Sequence, residues 1–70
     1  MSNLRQNLSR NLKKRRTLLG LTQEDLAQKL EINVRYVQQL EGKSVPNVKL
    51  DTIEILAKVL RVDAYKLLRK

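Results

Sequence analysis

Five side chains between positions 34 and 39 carry the most specific chemistry in this sequence. If residues 34–40 are helical and Val37 and Leu40, three apart, face inward, then Val34, Arg35, Tyr36, Gln38 and Gln39 face outward. The polar ones among them hydrogen-bond guanine, adenine and phosphate: a guanidinium matches the paired acceptors of guanine, and a carboxamide matches the donor and acceptor on the adenine edge. Other chemistry has little to work with. The sequence holds no His and no Cys, so the usual general bases, nucleophiles and soft metal ligands are missing. Apart from the adjacent Glu24 and Asp25, its seven carboxylates sit singly, mostly at expected helix starts and ends, and no glycine-rich phosphate loop is present. A binding protein without catalytic machinery, metal or cofactor is the expectation.

Two short helices joined by a tight turn must position those side chains. Thr22 is followed three residues later by Asp25, the reciprocal capping signature ahead of an apolar run, so a helix is expected to start at Gln23. Leu26, Ala27 and Leu30 then form its apolar side, against polar Glu24, Gln28 and Lys29. Asn33 is a strong N-cap type, which makes Glu31, Ile32 and Asn33 the turn, with Ile32 inward and a second helix opening at Val34. Gly42, after Glu41, is expected to end that helix in a left-handed conformation.

The run Leu21-Thr22-Gln23-Glu24-Asp25-Leu26-Ala27, then Ile32-Asn33, Tyr36-Val37 and Leu40-Glu41-Gly42-Lys43, resembles the helix-turn-helix of the Cro/phage-repressor family, also called the XRE family. The similarity extends to residues 16–20 and 46–62. It implies an all-α, five-helix, lambda-repressor-like fold with the helix-turn-helix at helices 2 and 3. It also implies base contacts from Val34, Arg35 and Gln39, with Asn33, Tyr36 and Gln38 close by. Arg35 suits guanine, Gln39 adenine and Val34 a thymine methyl. Gln23, first in its helix, and Lys43, in the following loop, are expected at phosphates. In this family an arginine at position 16 often pairs with the glutamate at position 41, which implies a structural ion pair between Arg16 and Glu41. Two departures stand out: Glu31 occupies a turn position where the family usually has glycine, and Arg15 one where it usually has an apolar residue.

Composition narrows the partners. Seventy residues allow one domain, 1–70, with one small helical core that no disulfide can staple. A net charge of +8 suggests a polyanion, and charge alone leaves DNA, RNA and an anionic membrane open. No run is apolar and long enough to span a bilayer and the N-terminus lacks a secretory core, so a soluble, cytoplasmic protein of prokaryotic or phage origin is expected. No acidic residue precedes Glu24, whereas Arg5, Arg10, Lys13, Lys14, Arg15 and Arg16 all do. Either the basic run 13–16 is a solvated helix face or it contacts phosphate beside the recognition helix, with Arg15 as the candidate.

The remaining elements follow from periodicity. A first helix is expected over residues 4–19, capped by Ser2 or Asn3, with Leu4, Leu8, Leu12 and Leu19 inward and Gly20 closing it. Residues 43–48 read as a loop, and a fourth helix over 50–60 carries Leu50, Ile53, Leu56, Ala57 and Leu60 inward. Arg61-Val62-Asp63 is a turn, again without the family's glycine. Asp63 is placed to cap a last helix over 64–68, beyond which Arg69 and Lys70 are expected to fray. No internal repeat is apparent. Family members usually dimerise on inverted half-sites; Val48, Val62, Tyr65 and Leu68 are the candidate interface. The resulting expectation is a sequence-specific DNA-binding transcriptional regulator, most simply a repressor. An antitoxin, a restriction-modification controller, or a module binding a protein partner are the alternatives.

Overall fold

Leu8, Leu12, Leu26, Val37, Leu40, Leu56, Leu60 and Leu67 have almost no contact with solvent, and the chain is arranged to bring them together. The computed structural model describes residues 3–70, and α-helices are the regular elements found there. In chain order these are α1 (Leu4–Leu18), α2 (Gln23–Leu30), α3 (Val34–Leu40), α4 (Leu50–Leu60) and α5 (Ala64–Leu68). Helix α1 packs against α5 and α3, α2 against α3 and α4, and α4 against α5. Val45 joins the same core from the loop between α3 and α4, a contribution that the sequence pattern did not single out.

Local chemistry explains where the helices begin. The Asn3 side chain accepts from the amides of Arg5 and Gln6, so it is the α1 cap; the alternative cap, Ser2, lies outside the described residues. Thr22 and Asp25 form the reciprocal box at the head of α2, and Asn33 caps α3 through Arg35 N at 2.8 Å. The cap expected from Asp63 is absent, since α5 begins with no side-chain hydrogen bond; the Asp63 carbonyl accepts from Lys66 N instead. The α4 start at Lys49 is also uncapped by a side chain.

The ends of α2 and α4 share one solution. Glu31 (φ 56°) and Arg61 (φ 59°) both adopt the left-handed conformation. Behind them, Ile32 N donates to Ala27 O at 3.0 Å and Val62 N to Ala57 O at 3.0 Å, the six-to-one bond that closes a helix end. The residues that build these ends recur thirty positions apart: Leu26-Ala27, Leu30, Ile32, Asn33 and Val37 against Leu56-Ala57, Leu60, Val62, Asp63 and Leu67. Contrary to the sequence reading, the chain does repeat itself, as a helix-turn-helix hairpin built twice. Only the inward and turn positions recur, and a scan for overall similarity overlooks so sparse a pattern.

Four further expectations change. Helix α1 ends at Leu18, with Leu19 37% exposed and Gly20 left-handed at φ 74°. Leu4 and Leu50 are exposed at 58% and 74%; each is the first residue of its helix, and both line the same surface groove. Gly42 is not left-handed; a Cβ there would stand 3.2 Å from Gln38 O, so glycine serves close approach to the last turn of α3. The fraying expected at the C-terminus does not begin at Arg69, whose carbonyl accepts from Asn11 Nδ2 at 2.6 Å.

A left-handed non-glycine residue costs about 1–2 kcal/mol, no more than one buried leucine such as Leu60 returns at about 2 kcal/mol, so the two turns persist. Glu31→Gly is expected to raise the unfolding free energy by about 1 kcal/mol. The urea midpoint at unchanged slope measures it; an equal or lower midpoint would show that the turn carries no strain at this residue.

Candidate nucleic-acid interface

The Arg16 side chain organises this surface from below. Its Nε donates to Glu41 Oε2 at 2.6 Å and its Nη2 to Glu41 Oε1 at 2.9 Å, a two-pronged pair that ties α1 to the end of α3. Its third nitrogen, Nη1, donates to Leu21 O at 2.7 Å and so fixes the turn ahead of α2. Glu41 Oε1 also accepts from Gln23 Nε2 at 3.1 Å, which brings the first residue of α2 to the same point. The side chains are 10% and 3% exposed, so this is a shielded pair and not a solvated one. Hydrogen bonding to Glu41 raises the Arg16 pKa above its usual value and outweighs the burial that acts to lower it.

On that base the α3 side chains divide as its periodicity demands. Val37 and Leu40 are buried, while Arg35, Gln38 and Gln39 are exposed. Val34 and Tyr36 stand between, half-buried and packed against the core, so each offers only part of its surface. The Asn33 side-chain oxygen is occupied by its cap, which leaves the Nδ2 side for any outside acceptor. Lys43 is exposed directly beyond α3. No carboxylate occurs within α3, so nothing on the helix itself repels a polyanion.

At the head of α2 the box is tight: Asp25 N donates to Thr22 Oγ1 at 3.0 Å and Thr22 N to Asp25 Oδ2 at 2.9 Å. The Thr22 backbone amide, and then its hydroxyl, hold the Asp25 carboxyl below its usual pKa. A depressed carboxyl contributes its stabilisation above the ordinary aspartate value and loses it as pH falls through the folded-state pKa, so the α2 start is intact at neutral pH.

Arg15 stands elsewhere than expected. Its Nε donates to Leu60 O at 2.8 Å and its Nη2 to Arg61 O at 3.1 Å, closing the exposed carbonyl end of α4. One residue of difference turns a helical side chain by about 100°, which carries Arg15 to the α4 side and Arg16 to the α3 side. The sequence reading also missed Asn7 and Asn11. Asn7 Nδ2 donates to Leu68 O at 2.9 Å, and Asn11 Nδ2 to Leu67 O at 3.1 Å, so together they bind the last carbonyls of α5. Two asparagines four apart, beside the Leu8 and Leu12 stripe, were the available signal. Of the candidate pairing residues, Val48 and Leu68 line one groove with Leu4 and Leu50. Val62 lines a separate concavity with Lys14, Leu18 and Lys66, and Tyr65 is exposed.

Among the described residues no cluster of acidic side chains is placed to hold a metal ion, and no helix is long and apolar enough to cross a membrane. A family model described as "Helix-turn-helix" matches residues 12–67. Among solved structures, a hypothetical transcription factor from Neisseria is similar over 96% of this chain and 76% of its own, at 36% identity and a TM-score of 0.88. No curated protein matches.

Removing Arg16 alone leaves Glu41 buried without its counter-charge. Arg16→Met is therefore expected to cost about 3 kcal/mol, and Arg16→Met/Glu41→Met distinctly less than the sum of the single changes. Denaturation of the four proteins of this cycle measures the coupling, and additive losses would show that the pair does not act as a unit.

Proposed function

We propose that this chain, which belongs to the XRE-type helix-turn-helix family of non-enzymatic DNA-binding domains, is a sequence-specific transcriptional regulator of double-stranded DNA, acting as a repressor in a prokaryotic or phage setting. The observation that carries this reading is the division of α3: Val37 and Leu40 buried, Arg35, Gln38 and Gln39 exposed and free of acidic neighbours on the helix. In this reading α3 enters the major groove and meets base edges from Val34 at its start to Gln39 one turn further on. Arg35 takes the O6 and N7 acceptors of guanine, Gln39 the adenine edge, and the exposed part of Val34 a thymine methyl. Gln23 at the head of α2 and Lys43 beyond α3 take phosphates, with Tyr36, Gln38 and Asn33 in support.

The regulator acts as a dimer, because one short helix reads only a few base pairs and inverted half-sites about 34 Å apart double the contact. The apolar groove of Leu4, Val48, Leu50 and Leu68 supports pairing on that side of the molecule. The Neisseria structure supports the regulatory role, since it carries the description of a transcription factor and shares the fold over nearly all of this chain.

Selection of bound duplexes from a random pool is expected to return a two-fold symmetric site. On that site Arg35→Ala is expected to lose about 1–3 kcal/mol of binding free energy and little on random duplex, whereas Lys43→Ala weakens both alike and flattens the salt dependence. Equal losses on both duplexes for Arg35→Ala would refute base reading by α3.

A further inference from the structure

Helix α1 turns opposite sides to α3 and to α5. Ser9 and Arg16 bond the end of α3, and two residues turn a helix by about 200°, so Asn11 and Leu18 point the other way. On that far side Lys14 and Leu18 face Val62, Lys66, Arg69 and Lys70 across a concavity of about 220 Å³. Leu18 is 71% exposed and Val62 half-buried, so the cleft has an apolar centre. Its four other side chains are exposed cations, and among the described residues none of them pairs with a carboxylate and no carboxylate side chain lines the cleft. Arg15 adds positive charge from the wall, where Leu60 O and Arg61 O hold its guanidinium. The walls are also fixed in advance: Asn11 Nδ2 donates to Leu67 O at 3.1 Å and to Arg69 O at 2.6 Å, which ties the end of α5 to α1. A ligand entering here has little of the cleft left to order.

We propose that this cleft between α1 and α5 docks an acidic segment of another protein, one that carries aliphatic side chains between its carboxylates. An apolar centre inside a charged rim is the anatomy of a protein interface. A phosphodiester backbone would answer the cations and leave Leu18 without an apolar partner. A second copy of this chain, with a net charge of +8, is repelled before it arrives. An acidic segment with leucines answers both features at once: its carboxylates meet Lys14, Lys66, Arg69 and Lys70, and its aliphatic side chains cover Leu18 and Val62. The proposal goes beyond the DNA-reading role of α3 and stands or falls without it.

The test is a titration of the full chain followed through its leucine and valine methyl NMR signals. Three probes are compared: a short synthetic peptide in which glutamates flank two leucines, an all-glutamate peptide of the same charge, and a short random duplex. The glutamate–leucine peptide is expected to move the Leu18 and Val62 signals, to leave those of Leu4 and Leu50 in place, and to bind more tightly than the all-glutamate peptide. Leu18→Ala, at an exposed position where folding is not at stake, is expected to erase that preference. Lys66→Glu is expected to weaken the peptide about tenfold, and Lys49→Glu, the same charge change at an exposed residue outside the cleft, to have little effect. Equal losses for Lys66→Glu and Lys49→Glu would mean that net charge alone attracts the peptide and would overturn the docking site. Signals of Leu18 and Val62 that respond to the duplex as strongly as to the peptide would assign the cleft to nucleic acid, and signals that move with protein concentration alone would assign it to a second copy; either result overturns the proposal, as does a peptide that moves neither residue.

Discussion

A single guanidinium, that of Arg16, holds the working surface together. It meets α3 at Glu41 with two nitrogens and the α1–α2 turn at Leu21 with the third, and Glu41 passes the connection on to Gln23 at the head of α2. Burying such a pair costs several kcal/mol of desolvation per ion, so its net gain over an apolar contact of the same shape is small. Its effect is geometric. Apolar packing lets helices slide by fractions of a turn, whereas a planar fork on a carboxylate admits one arrangement. Three helices thereby share a fixed point within hydrogen-bond reach, and the outward side of α3 inherits its orientation from that point.

The repeated hairpin shows what the fixed point adds. The pairs α2–α3 and α4–α5 have apolar residues at the same inward positions, a left-handed residue at the same turn position (Glu31 and Arg61) and the same closing bond, yet they serve different ends. In the second copy, Asn7 and Asn11 bind the carbonyls of α5 and Arg15 binds those of α4, so α1 clamps that hairpin along its length. In the first, the polar side chains of α1 bond the far end of α3, through Arg16 to Glu41 and Ser9 to Gly42. One hairpin is a brace and the other an exposed arm. The polar residues of α1, and not the hairpins themselves, make the distinction.

Much of this was legible in the sequence, and the reasons for the rest are physical. Caps were readable because they are local: Thr22 with Asp25 and Asn33 with Arg35 act within three residues, and the structure has both. The fold class was readable because the inward leucines recur at helical spacing. Exposure at helix ends was not, since periodicity reports the side of a helix and not whether another element stands opposite; Leu4 and Leu50 fell to that difference. Gly42 misled because glycine answers two needs, a left-handed backbone or a missing Cβ, and only coordinates tell them apart. Within the candidate site, the exposure of Arg35 and Gln39 followed from Val37 and Leu40. The partner of each basic side chain in Lys13 to Arg16 did not, because a charge run has no phase until the helix carrying it is docked.

Phase also decides how the net charge of +8 is deployed. The carboxylates fall on the first turn of α2, the turn after it, the end of α3, α4, and the turn before α5. None falls within α1 or α3. The one nearest the proposed DNA face, Glu41, has its charge matched by Arg16. Had Glu41 been exposed, it would have stood beside Lys43 and cancelled much of the attraction there. Burying it under Arg16 keeps the geometric benefit of a carboxylate at the helix end while removing its field from the surface. With no carboxylate on α1 or α3 and the one at the end of α3 matched by a guanidinium, no fixed negative charge on these helices opposes the approach of a polyanion to α3.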